Sequence, residues 1–211
     1  MQNVAKGVER SIINLFDMFC GHWFSDEMGT SIHYYNGWKT NSAYKVNKKA
    51  IAGWDAFCNY DKHFDPVWSG YSLDCGCLDK LYDMEKCFNY LDNGRTDDGE
   101  EMESILKTAK KNGQTKNIEL KYFTVTFYKK GTCHIVFKDE ELLKKFNLYG
   151  AQKKGWLPPS YGKKTYEEME PEEKAVIEEF EGKAEYEKTL QNKDFYLVNE
   201  NAFLIGMDEA V

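Results

Sequence analysis

No run of about 18 apolar residues occurs in this chain, so no segment of it reads as a membrane-spanning helix. The amino-terminal stretch MQNVAKGVER has no apolar core of the secretory type, and the expected location is the cytoplasm. Cysteine is sparse and scattered, at positions 20, 58, 75, 77, 87 and 133; in a reducing compartment such cysteines act as small buried hydrophobes or metal ligands rather than as disulfides. Several enzyme signatures are missing. There is no phosphate-cradling Gly-x-x-x-x-Gly-Lys, no dinucleotide-type Gly-x-Gly-x-x-Gly, no Gly-x-Ser-x-Gly elbow and no His-Glu-x-x-His. Neither an internal repeat nor a low-complexity tract is present. Acid is locally absent as well. Met28 to Trp54 carries no Asp or Glu, and neither does the stretch GAQKKGWLPPSYGKK at 150–164, although the chain as a whole has a net charge of -7.

What is present suffices for a core. Of 211 residues, 42% are hydrophobic and 15% aromatic, which excludes a disordered chain and fits one large domain or a domain with an appendage. Charge divides the chain in two. From Thr165 to Val211 there are 14 acids against 4 lysines, a net of -10, while residues 1–164 carry a net of +3. The expected organisation is a mildly basic mixed body, 1–164, and an acidic helical appendage, 165–211, packed on or tethered to it. Such asymmetry marks contact with an anion, a tail folding back on its own body, or simply two solvated faces.

Periodicity predicts an amphipathic helix over 5–24, with Val8, Ile12, Leu15, Phe16 and Phe19 on one face. Residues 31–65 lack a clean period and read as loops and short strands. A helix over 78–91 places Leu78, Leu81, Tyr82, Glu85, Phe88 and Leu91 together and stops at Asn93-Gly94. A short helix over 101–111 turns Met102, Ile105, Leu106 and Ala109 inward. The run YFTVTFYKKGTCHIVF alternates on both sides of Lys130-Gly131 and predicts a β-hairpin. Two strands alone are marginal in water, so the hairpin must pack on helices or recruit strands from the 31–72 region. A helix over 140–147 buries Leu142, Leu143 and Phe146. Thr165 and Glu168 have capping-box spacing, Pro171 suits a first helical turn, Val176 and Phe180 form a thin stripe, and Gly182 is the stop. FYLV and AFLI near the carboxyl terminus read as strands or docking segments. The fold class expected is α+β, mainly helical, with a small antiparallel sheet built on the 118–138 hairpin.

Three sets of residues carry possible chemistry. In IELK, Glu119 and Lys121 alternate onto one face of a strand; with an upstream acid, Asp97 or Asp98, they would hold magnesium against a scissile phosphate. Cys20, His22, Cys75 and Cys77 make a legitimate zinc set, although the one-residue spacers are tighter than the usual knuckle; the other reading is buried cysteines and an exposed histidine. Zinc is the one structural cofactor the sequence offers. Third, the two acid-free windows alternate lysine with Trp and Tyr, and Pro158-Pro159 stiffens the second. Trp38, Lys39, Lys45, Lys48, Lys49, Lys153, Lys154, Trp156, Lys163 and Lys164 would form one face whose rings stack on bases while ammonium groups meet phosphates. The alternative is that Trp156 and Leu157 tuck into the core and the lysines are merely solvated.

The blocks HYYNGWKTNSAYKVNKK, KLYDMEKCFNYLDNG, YFTVTFYKKGTCHIVF and FNLYGAQKKGWLPPSYGKK resemble a domain-of-unknown-function family of phage and mobile-element proteins, over most of residues 1 to 181. Members of that family are often fused to adenine-type DNA methyltransferases or lie near helicases. The resemblance implies a mobile-element setting in a bacterial host cell and company with DNA enzymes, but supplies no activity. This chain has no glycine-rich S-adenosylmethionine loop. LPPSY comes near the methyltransferase motif Asn/Asp-Pro-Pro-Tyr/Phe but places Leu157 where an amide or carboxylate must grip the adenine amino group. The chain begins at a methionine and leaves no room for a methyltransferase, so the expectation is an accessory subunit or a copy turned to another use.

The function expected is therefore a non-enzymatic accessory or counter-defence protein, for example an inhibitor of a CRISPR effector. It would bind nucleic acid or a nucleic-acid-handling protein through the lysine and aromatic face. The alternatives are an acidic DNA mimic acting through residues 165–211 and a magnesium-dependent nuclease around Glu119 and Lys121.

Overall fold

The computed structural model describes residues 2–20, 41–42, 45–57, 63–67, 76–96 and 100–198. Helix α1, Gln2–Cys20, presents Ile12, Leu15, Phe16 and Phe19 to the interior. Strands β1 (Asn41–Ser42) and β2 (Lys45–Val46) pair with each other, and β3 (Lys49–Ala52) leaves them for the main sheet. Helices α2, Cys77–Asn93, and α3, Glu100–Asn112, follow. Gly94 ends α2 in the left-handed region, where its N–H reaches the Tyr90 carbonyl, as the Asn93-Gly94 signal predicts.

The hairpin is β5 (Phe123–Tyr128) and β6 (Thr132–Phe137), with the short β4 (Ile118–Glu119) on one side. The sheet is antiparallel throughout, in the order β3-β6-β5-β4. The hairpin thus recruits its extra strand from the acid-free window, through the register Lys49↔Val136 to Ala52↔Cys133. The architecture is α+β, mainly helical, with a small antiparallel sheet.

One face of the sheet carries Ala50, Ala52, Phe123, Val125, Phe127, Cys133, Ile135 and Phe137, all buried. Against it packs an aromatic cluster. Phe88 stacks on Phe137 and on Phe146, each at 5.2 Å between ring centroids, and Phe16 meets Phe146 at 5.7 Å. Offset and edge-on pairs of this kind add about 0.5–1.5 kcal/mol each beyond the area they bury.

The central element is helix α4, Glu140–Lys153, which touches α1, α2 and β2. Asp139 caps it, accepting from the N–H groups of Glu141 and Leu142. The helix runs past the expected end at 147 because Gly150 is not a stop. A Cβ there would lie 2.3 Å from the Phe16 ring, so this glycine lets α1 approach α4 closely. The basic loop accordingly starts only at Lys154.

Helices α5 (Pro171–Phe180), α6 (Lys183–Gln191) and α7 (Lys193–Tyr196) complete the described chain. The Thr165–Glu168 pair forms, with Glu168 accepting from the Thr165 N–H and hydroxyl, but it closes a turn. The helix begins at Pro171, with its own capping box from Glu170 and Glu173. Its inward residues are Ile177 and Phe180, while Val176 is exposed. FYLV is not a strand: its first two residues close α7, which docks on α4.

Candidate nucleic-acid and partner interface

The first lysine window is pinned by one buried amide. Asn147 of α4 accepts from the Val46 N–H at 2.8 Å and donates to the Val46 carbonyl at 2.9 Å, giving these groups of β2 the partners that a further strand would give them. Lys45, beside it, donates to the Phe180 carbonyl at 2.7 Å and lies over the Phe180 ring. Lys48 turns the other way and pairs with Glu140 at 2.5 Å. Lys49 is exposed on β3. Trp38 and Lys39 lie outside the described residues.

The second window divides by direction. Lys153 pairs with Glu9 at 2.5 Å and Lys154 with Asp17 at 2.9 Å, both on α1. Trp156 is half-buried, with its ring 5.5 Å from Phe16. Leu157 is buried. Lys164 faces α5 and pairs with Glu173 at 3.4 Å; Lys163 is exposed.

The loop is also a cradle for the acidic segment. Ser160 donates to Glu173, and the Tyr161 hydroxyl donates to Glu181. The Tyr186 hydroxyl, from a fully buried side chain on α6, accepts from the Gly162 N–H and donates to the Lys164 carbonyl. Gly162 has φ of +77°, so the turn calls for glycine, and the Leu197 side chain packs over it. Beneath this, Lys144 of α4, 18% exposed, pairs with Glu181 at 3.2 Å and Glu185 at 3.1 Å, and the Tyr196 hydroxyl donates to Glu141.

The electrostatics follow. Burial, reinforced by the Glu181 carboxylate, drives the Tyr161 hydroxyl far above its ordinary value, and burial with Glu141 raises Tyr196 to about 12. Hydrogen bonds from Lys188 and Lys144 hold Glu185 below the usual carboxylate range. Lys45 and Lys164, distant in sequence, therefore meet along one helix, at its two ends. That helix is the chain's own acidic segment.

The other candidate residues are placed as follows. Glu119 accepts from Thr124 and pairs with Lys138 at 2.8 Å, whereas Lys121 reaches away to Asn89 at 2.5 Å and over the Tyr122 ring. Asp97 and Asp98 lie outside the described residues, as do His22 and Cys75 of the zinc set. Cys20 and Cys77 are buried, and burial raises both thiols to about 12. Among the described residues no group of three or more His, Cys, Asp or Glu is arranged to hold a metal ion. No helix among them is long and apolar enough to cross a membrane.

Sequence reasoning missed the anchors Asn147, Lys144 and Tyr186. An Asn and a Lys inside an otherwise apolar helical stripe, NLYGAQ and LLKKF, were the available signal for the two on α4.

With this geometry in view, comparison with known proteins identifies the family. The chain belongs to the family described as a domain of unknown function (DUF4942), whose model matches residues 1–156. The match ends inside the basic loop, and α5–α7 lie beyond it. No curated protein and no solved structure matches the chain significantly.

Proposed function

We propose that this protein is a non-enzymatic accessory or counter-defence protein of a phage or mobile element, acting in the cytoplasm of a bacterial host. It binds nucleic acid, or an enzyme that handles nucleic acid, through lysine and aromatic side chains of its basic body. Inhibition of a CRISPR effector is one use of such a surface. The observation that carries this reading is the convergence of Lys45 and Lys164 on α5, beside Lys144, where each lysine meets a carboxylate or a carbonyl. A surface that gathers its own acidic segment in this way has the charge and donor geometry to gather an external polyanion. Lys49 and Lys163 remain exposed at its margins.

A second reading has one specific observation in its favour. Glu172 and Glu179, seven residues apart on α5, are both exposed, giving the acidic segment an outward carboxylate face of the kind a DNA mimic uses against a basic channel.

The test is capture of partners from a host lysate by the full chain, with and without nuclease treatment, followed by binding to purified DNA and RNA across a salt series. The primary reading expects capture that nuclease weakens and affinity that falls steeply with salt. Capture of a basic protein that survives nuclease and is lost in the E172Q/E179Q variant supports the second reading. Turnover of DNA dependent on magnesium and Glu119 would overturn both.

A further inference from the structure

Apart from the lysine surface, a cleft of about 660 Å³ opens among the described residues, between the carboxyl-terminal end of α2, helix α4 and α7. Its volume falls in the range of small-molecule sites, roughly 300–1,000 Å³. One wall is hydrocarbon. Leu91 is buried there, and Leu197 and Val198 are half-buried against the core. The charged part of the lining comes from both regions of the chain, Lys145 and Asp92 from the body and Lys193 and Asp194 from α7.

Lys145 is the group that points to a ligand. Its ammonium donates to the Leu91 carbonyl at 2.5 Å, which satisfies one of the last carbonyls of α2, and it lies 4.8 Å from the centroid of the Phe195 ring. An ammonium group carries three N–H donors. Among the described residues Leu91 is its one hydrogen-bond acceptor, and no carboxylate stands within ion-pair distance of it. Burial lowers the Lys145 pKa below the ordinary lysine value, and Asp92, within electrostatic reach, offsets only part of that. The cleft therefore holds a half-buried cation whose lost hydration protein groups do not fully replace. Lys193 adds a second cation. It is exposed, and among the described residues its side chain makes neither a hydrogen bond nor an ion pair. The two aspartates restrict what such a site accepts. Asp92 takes the Tyr122 hydroxyl at 2.9 Å, and Asp194 is exposed beside Lys193.

We infer that this cleft binds a small monocarboxylate with an apolar body, its carboxylate met by Lys145 and Lys193 and its hydrocarbon laid along Leu91, Leu197 and Val198. The site goes beyond the binding function proposed above and does not depend on it, since none of the described lysines of that surface lines the cleft. An anion is specified because it supplies the acceptors that the Lys145 ammonium lacks. A single charge is specified because Asp92 and Asp194 repel a phosphate dianion more strongly than a carboxylate. An apolar body is specified because the Leu91, Leu197 and Val198 wall gains only from covering hydrocarbon. The ligand touches α2 and α4 on one side and α7 on the other, so its binding holds the end of the acidic segment on the body by mass action.

The experiment is titration of the full chain with phenylacetate, octanoate, the neutral phenylacetamide and inorganic phosphate, followed by methyl NMR of the leucines and valines. The expected result is that both carboxylates shift the Leu91, Leu197 and Val198 resonances, and that phenylacetate binds roughly tenfold or more tightly than its amide, as one charge-assisted hydrogen bond would give. Phosphate binds more weakly than either carboxylate. Lys145→Gln lowers carboxylate affinity by roughly tenfold, and Lys193→Gln, an exposed charge, by about two- to fivefold. Asp194→Asn tightens binding, a gain that a damaged fold would not produce. Octanoate also slows hydrogen exchange of the α7 amides in the wild type. Equal binding of phenylacetate and phenylacetamide would overturn the role of the anion, and phosphate binding tighter than the carboxylates would overturn the ligand class. Carboxylate binding undiminished in the K145Q/K193Q double variant would overturn this site. A wild-type chain that takes up neither carboxylate at millimolar concentration would overturn the proposal outright, and in each of these cases the nucleic-acid reading stands.

Discussion

The body and the acidic segment are held by different forces. The body closes on rings: Phe16, Phe88, Phe137 and Phe146 pack between α1, α2, α4 and the sheet. The segment over 165–198 buries fewer side chains, Met169, Ile177, Phe180, Tyr186, Thr189 and Tyr196, and it attaches through tyrosine hydroxyls and lysine ammonium groups. Apolar packing is non-directional and does not respond to pH, whereas charged and hydroxyl contacts are directional and titrate. The two regions therefore differ less in compactness than in what loosens them. The segment, held by ion pairs and hydroxyls, responds to salt; both regions respond to alkali, the body through the thiols of Cys20, Cys77 and Cys87, which burial raises to about 12.

The comparison can be broken hardest at its apolar end. Phe88→Ala removes a ring stacked on two others and is expected to cost about 3–5 kcal/mol, read as a lower denaturation midpoint of the whole chain. Next comes the ion pair beneath the segment. Lys144→Ala leaves Glu181 buried without its counter-charge, an effect of about 3 kcal/mol. Hydrogen exchange should show it locally, with faster exchange of α5–α7 amides and little change in β5 and β6. Asn147→Ala orphans the Val46 N–H and carbonyl together, at about 2 kcal/mol, and should free the β1–β2 window while the main sheet keeps its protection.

Titration acts on both regions. In the segment, Tyr196 is raised from the ordinary 10 to about 12, so its contribution is complete below pH 10 and is lost as pH rises towards 12, while Tyr161, raised further, keeps part of its contribution beyond that. His134 has a folded value of about 4, below its ordinary 6.5, so its contribution is complete above pH 6.5 and is lost as pH falls towards 4. Circular dichroism with hydrogen exchange should find the hairpin weakened first in acid, and in alkali a loss that begins near pH 9 in the body, through the buried thiols of Cys20, Cys77 and Cys87, and near pH 10 in the segment. The smallest effect is expected at Lys48→Ala. Both partners of that pair are more than half exposed, and the change should stay within about 0.5 kcal/mol in a denaturant titration.

Much of the fold could be read from local pattern. The hairpin alternation, the Asn93-Gly94 stop and the inward faces of α1 and α3 are all properties of neighbouring residues. The expected end of α4 at 147 falls short because local pattern does not show Phe16 across the gap, and that ring makes Gly150 a packing notch inside the helix. Val176 was chosen over Ile177 for the same kind of reason: a ten-residue helix does not reveal which way it will be rolled until Lys45 and Lys164 are seen at its two ends.

The candidate surfaces were legible in part. Composition picked out the lysine windows, but not which acids they would meet. The cleft beside α7 could not be nominated, because Lys145 and Lys193 belong to different helices and only the docking of α7 on α4 brings them to one lining.

Residue order by itself settled the helical and hairpin elements, the division between a basic body and an acidic segment, and the apolar stripes that had to face inward, because each depends on spacings of two to four residues. Tertiary structure alone decided that the acidic segment lies on the basic loop, that Asn147 holds the lysine window, and that lysines of two helices share one cleft. Those outcomes depend on charge pairs and hydrogen bonds between groups remote in sequence, and the energy of such contacts exists only once the apolar core has brought the groups within reach.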